Sequence, residues 1–387
     1  MSSHRSDVRL SAVIMAHPRR RAAAEALSAE HPALAARVVT DPDPQGPPSA
    51  LRTARLAWRS VAPGATHHLV LQDDAVLSPG FADTVRALTA ARPRDSVSLF
   101  TEWGSRTANA VRAAALLGHA WAPVVDDYLP SVALVLPAPL ALGFDEYAAA
   151  KAGPDATDDV TLLDHLRDVD KVVPVAGPVD HANPPSLVGN DVMGPRSAAC
   201  PALDGDPRDA RDPREDPTPT GSVLPAMRAV PYFCWWEQLA VVYLRDPASP
   251  DGWRRVPAEE ALLERGIERE RVVASLRGAL EALPHRDFVH DRVSDVLLAE
   301  LWTAAYALGV VTHDLGGPPD LGRPAARTAL STLAPGALRR VVPVPRLAAV
   351  GEALYPLVAE AVLDGARAAE DTAARATVGG GVGGGLS

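Results

Sequence analysis

The chain has 387 residues, 47% of them hydrophobic, and a formal net charge of −10. That length suits two ordinary domains, each with a proper core, and the composition argues against global disorder. The acidic balance argues against non-specific binding to nucleic acid, and the only two cysteines, Cys200 and Cys234, lie too far apart for a disulfide scaffold or a cysteine zinc site. So few cysteines suit a reducing compartment, and the expected location is the cytoplasm. The apolar stretch near the N-terminus is too short for a secretory h-region and is interrupted by His17. No run reads as long enough to span a membrane.

Leu10 to Ala16, LSAVIMA, predicts a buried first strand that ends at His17-Pro18. A helix is predicted over Arg19 to Glu30, with three arginines at its start, the wrong end for the helix dipole. Those arginines either meet a phosphate or form a solvated face. ARVVT, ending at Thr40, predicts a second strand, with Asp41 at its carboxyl end where an acid can hold a ribose or a base. After the proline-rich loop Asp41 to Pro48, Ser49 caps a predicted helix running to Val61.

The central stretch is HHLVLQDDAVLSPGF, His67 to Phe81. Its apolar run predicts a strand buried on both faces, and it stops abruptly at Asp73 and Asp74. Acids at the carboxyl end of such a strand lie where open α/β sheets bind ligands. Two carboxylates there either suit a hard divalent cation, Mg²⁺ or Mn²⁺, or cap the following turn. The order β-α-β-α-β predicts a mostly parallel sheet of Rossmann type with helices on both faces.

Further strands are predicted at Ser96 to Thr101, Ser131 to Leu136 and Lys171 to Val175, and helices at Ala82 to Ala91 and Asn109 to Leu117. In GPDATDDVTLLDHLRD, Thr157 or Asp158 can cap a helix, and Asp158 and Asp159 suit its dipole. The same carboxylates can also serve as a general base. His181 falls in a proline-rich loop, either simply exposed or a metal ligand. Residues 200–222 read as a Pro/Asp/Arg-rich linker, 223–370 as an all-α domain and 371–387 as a Gly-rich tail. In that domain helical periodicity is read at Tyr232 to Leu244 and Phe288 to Val311, among others, and Trp235, Trp236 and Trp302 are expected in its core.

Taken together, residues 8 to 195 resemble a GT-A type glycosyltransferase domain of the small family-25-like and family-2-like bacterial enzymes. The likeness rests on LVLQDDAVLSPGF against the family's acidic-pair motif, the SALRTA helix start, TDDVTLLDHLR, and the closing PPSLVGN. It implies a catalytic domain over residues 1–199, a nucleotide-sugar donor, a divalent cation and transfer to a hydroxyl-bearing acceptor. By position it assigns Asp74 and His181 to the metal, and Asp73, Asp41 and Arg52 to the nucleotide. Asp158 or Asp159 becomes the base. Gln72 and the Asn183-Pro184-Pro185 step depart from the family pattern. Two rivals stand beside this reading: a non-catalytic interaction protein that binds a partner through its helical domain, and a nucleotidyltransferase. The second would carry a glycine-rich loop after the first strand, where this chain has AHPRRRAAA.

Overall fold

The computed structural model describes residues 8–47, 49–153, 156–187, 189–202, 221–249 and 251–379. Most of the expected linker and the end of the expected Gly-rich tail lie outside the described residues. By internal contacts the chain forms two units that alternate along the sequence. The first comprises Met1–Glu102, Ala120–Asn190 and Cys200–Val223; the second comprises Trp103–His119, Asp191–Ala199 and Leu224–Ser387. The architecture is an N-terminal mixed α/β domain followed by a mostly helical C-terminal domain.

In the first unit, β1 (Leu10–Ala16), α1 (Arg21–Glu30), β2 (Arg37–Thr40), α2 (Ala50–Trp58) and β3 (His67–Gln72) follow the expected order. Both β2 and β3 pair parallel with β1. Next come β4 (Ala75–Leu77), α3 (Phe81–Ala91) and β5 (Ser96–Ser98). The helix α4 (Arg106–Leu117) belongs to the second unit. The first unit resumes with β6 (Trp121–Pro123), β7 (Ala133–Pro137), α5 (Ala138–Lys151), α6 (Asp158–His165), β8 (Lys171–Pro174) and β9 (Val179–His181). Its main sheet has seven strands in the order β2-β1-β3-β7-β5-β8-β6.

That sheet is mixed, not mostly parallel. Strand β7 runs antiparallel to both β3 and β5, and β6 runs antiparallel to β8. A strand buried on both faces has the same apolar run in either direction, so its polarity leaves no mark in the sequence. On one face Val13, Val70, Leu134 and Leu136 pack under α2, α5 and α6 through Trp58, Phe144 and Leu162. Ile14, Leu69, Leu71 and Val135 on the other face are buried as well.

The second unit contains α4, and then β10 (Ala229–Cys234), β11 (Leu239–Arg245), β12 (Trp253–Pro257), α7 (Ala258–Glu264), α8 (Arg269–Ala282), α9 (Arg286–His290), α10 (Asp295–Gly316), α11 (Pro324–Ser331), α12 (Leu333–Leu338) and α13 (Val344–Gly379). The expectation of an all-α domain is corrected here. Tyr232 to Leu244 is not helix but most of an antiparallel hairpin, extended by β12 into a three-stranded sheet. Its aromatic and β-branched residues suit a pleated surface. The reversal is made by Gln238 at φ +61°, with its N–H bonded to the Cys234 carbonyl at 2.6 Å, so no glycine or proline announces it. Trp302 is buried as expected, whereas Trp236 is 54% exposed.

One expectation about length also changes. α10 has 22 residues with mean hydropathy 1.4 over its best window, long and apolar enough by composition to cross a membrane, and 72% of that window is buried within the chain.

Candidate functional site

The site forms at the carboxyl ends of β1, β2 and β3. Strand β3 stops at Gln72 because the next two residues are acids, and their side chains stay largely covered, at 9% exposure for Asp73 and 10% for Asp74. Beyond β1, Pro18 starts a short 3-10 turn in which the His17 ring accepts the Arg19 N–H at 3.1 Å. That turn carries Arg20 over the acidic pair. One guanidinium nitrogen, Nη1, donates to Asp73 Oδ1 and to Asp74 Oδ2, both at 3.2 Å. The other, Nη2, donates to the Pro185 carbonyl.

A second segment arrives through a ribbon that the sequence did not suggest. β4, directly after the acids, pairs antiparallel with β9, so that Ala75 faces His181. The Ala182 N–H donates to the Asp74 carbonyl at 2.9 Å and extends the ladder. His181 is therefore buried, not simply exposed, and its Nε2 lies 3.2 Å from Asp74 Oδ2. Its Nδ1 accepts the Asn183 N–H at 3.0 Å and also lies 3.2 Å from Asn183 Oδ1. The amide of Asn183 is oriented by its Nδ2, which donates to the His181 carbonyl at 2.9 Å. Asn183 can thus hold either ring tautomer.

Asp73 is held above the ordinary carboxylate range, first by burial and then by the neighbouring charge of Asp74, with Arg20 and the His17 N–H pulling the other way. At the end of β2, Asp41 is buried and binds Arg52 through both oxygens, each at 2.7 Å. This bidentate hydrogen bonding pulls the Asp41 carboxyl down. Arg52 also donates to the Asp43 and Pro47 carbonyls, so its guanidinium ties down the loop after β2.

Asp158 begins α6 and is 6% exposed. Burial, and then the charge of Asp159, push its carboxyl up to about 6, while the Ser131 hydroxyl and the backbone N–H groups of Asp158 and Asp159 favour the ionised form. Ser131 Oγ accepts from Gln72 Nε2 at 3.3 Å, so a relay runs from the last residue of β3 through Ser131 to Asp158. Asp159 turns to its own helix instead, accepting the Val160 N–H at 2.8 Å.

The structure thus joins Asp74 to His181 directly and Asp73 to Asp74 through Arg20, links Asp158 through Gln72 and Ser131, and sets the Asp41–Arg52 pair at the end of β2, one strand beyond β1. Arg20 is the central contact that residue patterning did not single out; its only signal was a run of arginines at the wrong end of a helix.

Asp74 Oδ2 and His181 Nε2, 3.2 Å apart, are at hydrogen-bond distance, and the same separation suits adjacent ligands on an octahedral ion with bonds of about 2.3 Å. Carboxylate with imidazole is also a plausible donor set for Mn²⁺. Proton transfer within the His181 ring to Nδ1, where Asn183 Oδ1 can accept it, would free Nε2 to ligate. Among the described residues, no group of three or more His, Cys, Asp or Glu side chains is arranged as a metal cluster. The donors fit an ion as a pair, with Arg20 in contact with the same oxygen. No protein-family model matches the chain, and no curated protein matches it.

Proposed function

We propose that the first unit is a glycosyltransferase of GT-A type that moves a sugar from a nucleotide-sugar donor to a hydroxyl-bearing acceptor with the help of a divalent cation. The observation that carries this reading is the meeting of Asp73, Asp74 and His181 at the carboxyl end of the central strand, from two segments joined by the β4–β9 ribbon. Asp74 and His181 would hold the cation. As a Lewis acid it would stabilise the nucleoside diphosphate that leaves when the sugar's anomeric bond breaks.

The chain's own groups supply the rest. Asp41, fixed by Arg52, presents a buried carboxylate edge to the ribose or base. Asp158 accepts the proton of the acceptor hydroxyl, which is a poor nucleophile until that proton leaves. A carboxyl held near 6 is a better base than an ordinary aspartate and still ionised at neutral pH. Ser131 fixes its orientation. Asp158 suits this role better than Asp159, whose side chain caps its own backbone.

Turnover tests the assignment. Nucleoside diphosphate release should be measured from UDP-, GDP-, CDP- and dTDP-sugars with Mn²⁺. One donor class is expected to be consumed. Asp158→Asn should lose about 10²-fold or more in kcat, the usual scale of general-base catalysis, while still binding the donor. Equal turnover by Asp158→Asn and wild type would remove Asp158 from the chemistry.

A second reading, a domain of this shape that binds without catalysing, is favoured by one observation. Arg20 already pairs with both carboxylates, as in a self-satisfied structural site.

A further inference from the structure

We propose that Arg20 is a built-in counter-ion that competes with the divalent cation for Asp74, so that metal loading requires Arg20 to leave the acidic pair. This inference rests on the cation site of the glycosyltransferase reading and deepens it.

Three groups meet at one oxygen. Asp74 Oδ2 lies 3.2 Å from Arg20 Nη1 and 3.2 Å from His181 Nε2. A cation held by that oxygen and that nitrogen comes within ionic contact of a guanidinium that has no means of losing its charge. The two positive charges exclude each other unless one moves. Arg20 is the mobile partner, because it sits at the end of a three-residue turn on a long side chain, whereas Asp74 and His181 are fixed by facing strands.

The resting arrangement is well matched. Two carboxylates that are nine-tenths buried share one guanidinium, whose side chain is 18% exposed. Without a cation of some kind, two adjacent buried carboxylates repel. Arg20 therefore supplies the positive charge that this buried pair calls for. Its second contact, to the Pro185 carbonyl, ties the 182–187 segment to the same guanidinium. When Arg20 leaves, its contact with the Pro185 carbonyl breaks, while the Ala182 N–H keeps its bond to the Asp74 carbonyl. A freed arginine at the start of α1 is then available to an anionic diphosphate.

The test is Mn²⁺ binding, read by electron paramagnetic resonance of the free ion with no nucleotide present. Arg20→Gln and Arg20→Met are compared with wild type, with circular dichroism to establish folding. Both variants are expected to bind Mn²⁺ at least about tenfold tighter than wild type, the scale of one charge-assisted hydrogen bond. Adding Asp74→Asn to Arg20→Gln should abolish the gain. If either folded variant binds Mn²⁺ no more tightly than wild type, or if neither binds it at all, the competition is refuted. Binding of the nucleotide sugars is measured separately. Tight Mn²⁺ binding by Arg20→Gln with no nucleotide bound by any form would overturn the transferase reading and leave the competition standing. Nucleotide turnover with an Mn²⁺ affinity indifferent to Arg20 would do the reverse.

Discussion

Asp158, the proposed base, is held in a form that folding disfavours at neutral pH. Its carboxyl lies at about 6 in the folded chain against 3.8 in the ordinary state, a rise worth roughly 3 kcal/mol. Because the folded state prefers the protonated form, this carboxyl favours folding at low pH. The penalty grows as pH rises from 3.8 and is complete above 6. Asp158→Asn should therefore stabilise the protein by about 1–3 kcal/mol at pH 8, with the gain vanishing near pH 4, as read by thermal melts across pH. A gain that is constant with pH would show that burial is not what raises this group. At the same scale, His67 and His68 are structural. Their rings bond the Pro93 and Ala57 carbonyls, and burial pulls both below the ordinary histidine range. Asp73 and Asp74 were legible in sequence because charge ends an apolar run there. Arg20 was not, because its partners lie more than fifty positions away and an arginine run reads equally well as a solvated face.

At the scale of elements, the helical half is organised around the crossing of α10 and α13. A Cβ on Gly309 would stand 2.0 Å from the Val362 carbonyl oxygen, and one on Gly365 would stand 2.0 Å from that of Tyr306. The two backbones touch through these glycines, and backbone cannot step aside as a flexible side chain would. Gly309→Ala and Gly365→Ala should each destabilise by about 1–3 kcal/mol, seen as a lower Tm, although alanine is the better helix former. A rise in Tm for either would mean the helices cross farther apart. Such a pair is invisible in sequence, where a glycine inside a helical pattern is only a mild demerit. The β10–β11 hairpin and the β4–β9 ribbon were missed for related reasons. The first turns at Gln238 without the usual turn residues, and the second consists of two three-residue strands too short to show alternation. That ribbon converts His181 from a loop residue into a neighbour of Asp74.

For the whole molecule, the important fact is that neither unit is a single stretch of chain. α4 is buried along nearly its full length and packs with α10, α11 and β10, although it precedes much of the first unit in sequence. A fragment of residues 224–387 would lack α4 and expose the apolar surface it covers. That fragment should aggregate or melt without cooperativity when checked by light scattering and circular dichroism. A monomeric, cooperatively folded fragment would contradict this account of the second unit. The alternation also explains why a two-part chain was readable from composition while the membership of α4 was not: contact across more than a hundred positions leaves no local signal.

The central claim is that the β3 carboxylates serve a nucleotide sugar. Its most direct measurement is a thermal-shift titration of UDP, GDP, CDP and dTDP sugars, with and without Mn²⁺, on wild type and Asp74→Ala. A ligand that binds only the folded chain raises its apparent stability, by about 2.7 kcal/mol at a hundred times its Kd. The account predicts a shift from one nucleotide class, dependent on Mn²⁺ and absent in Asp74→Ala. No shift from any nucleotide, with or without metal, in the folded wild type would contradict it.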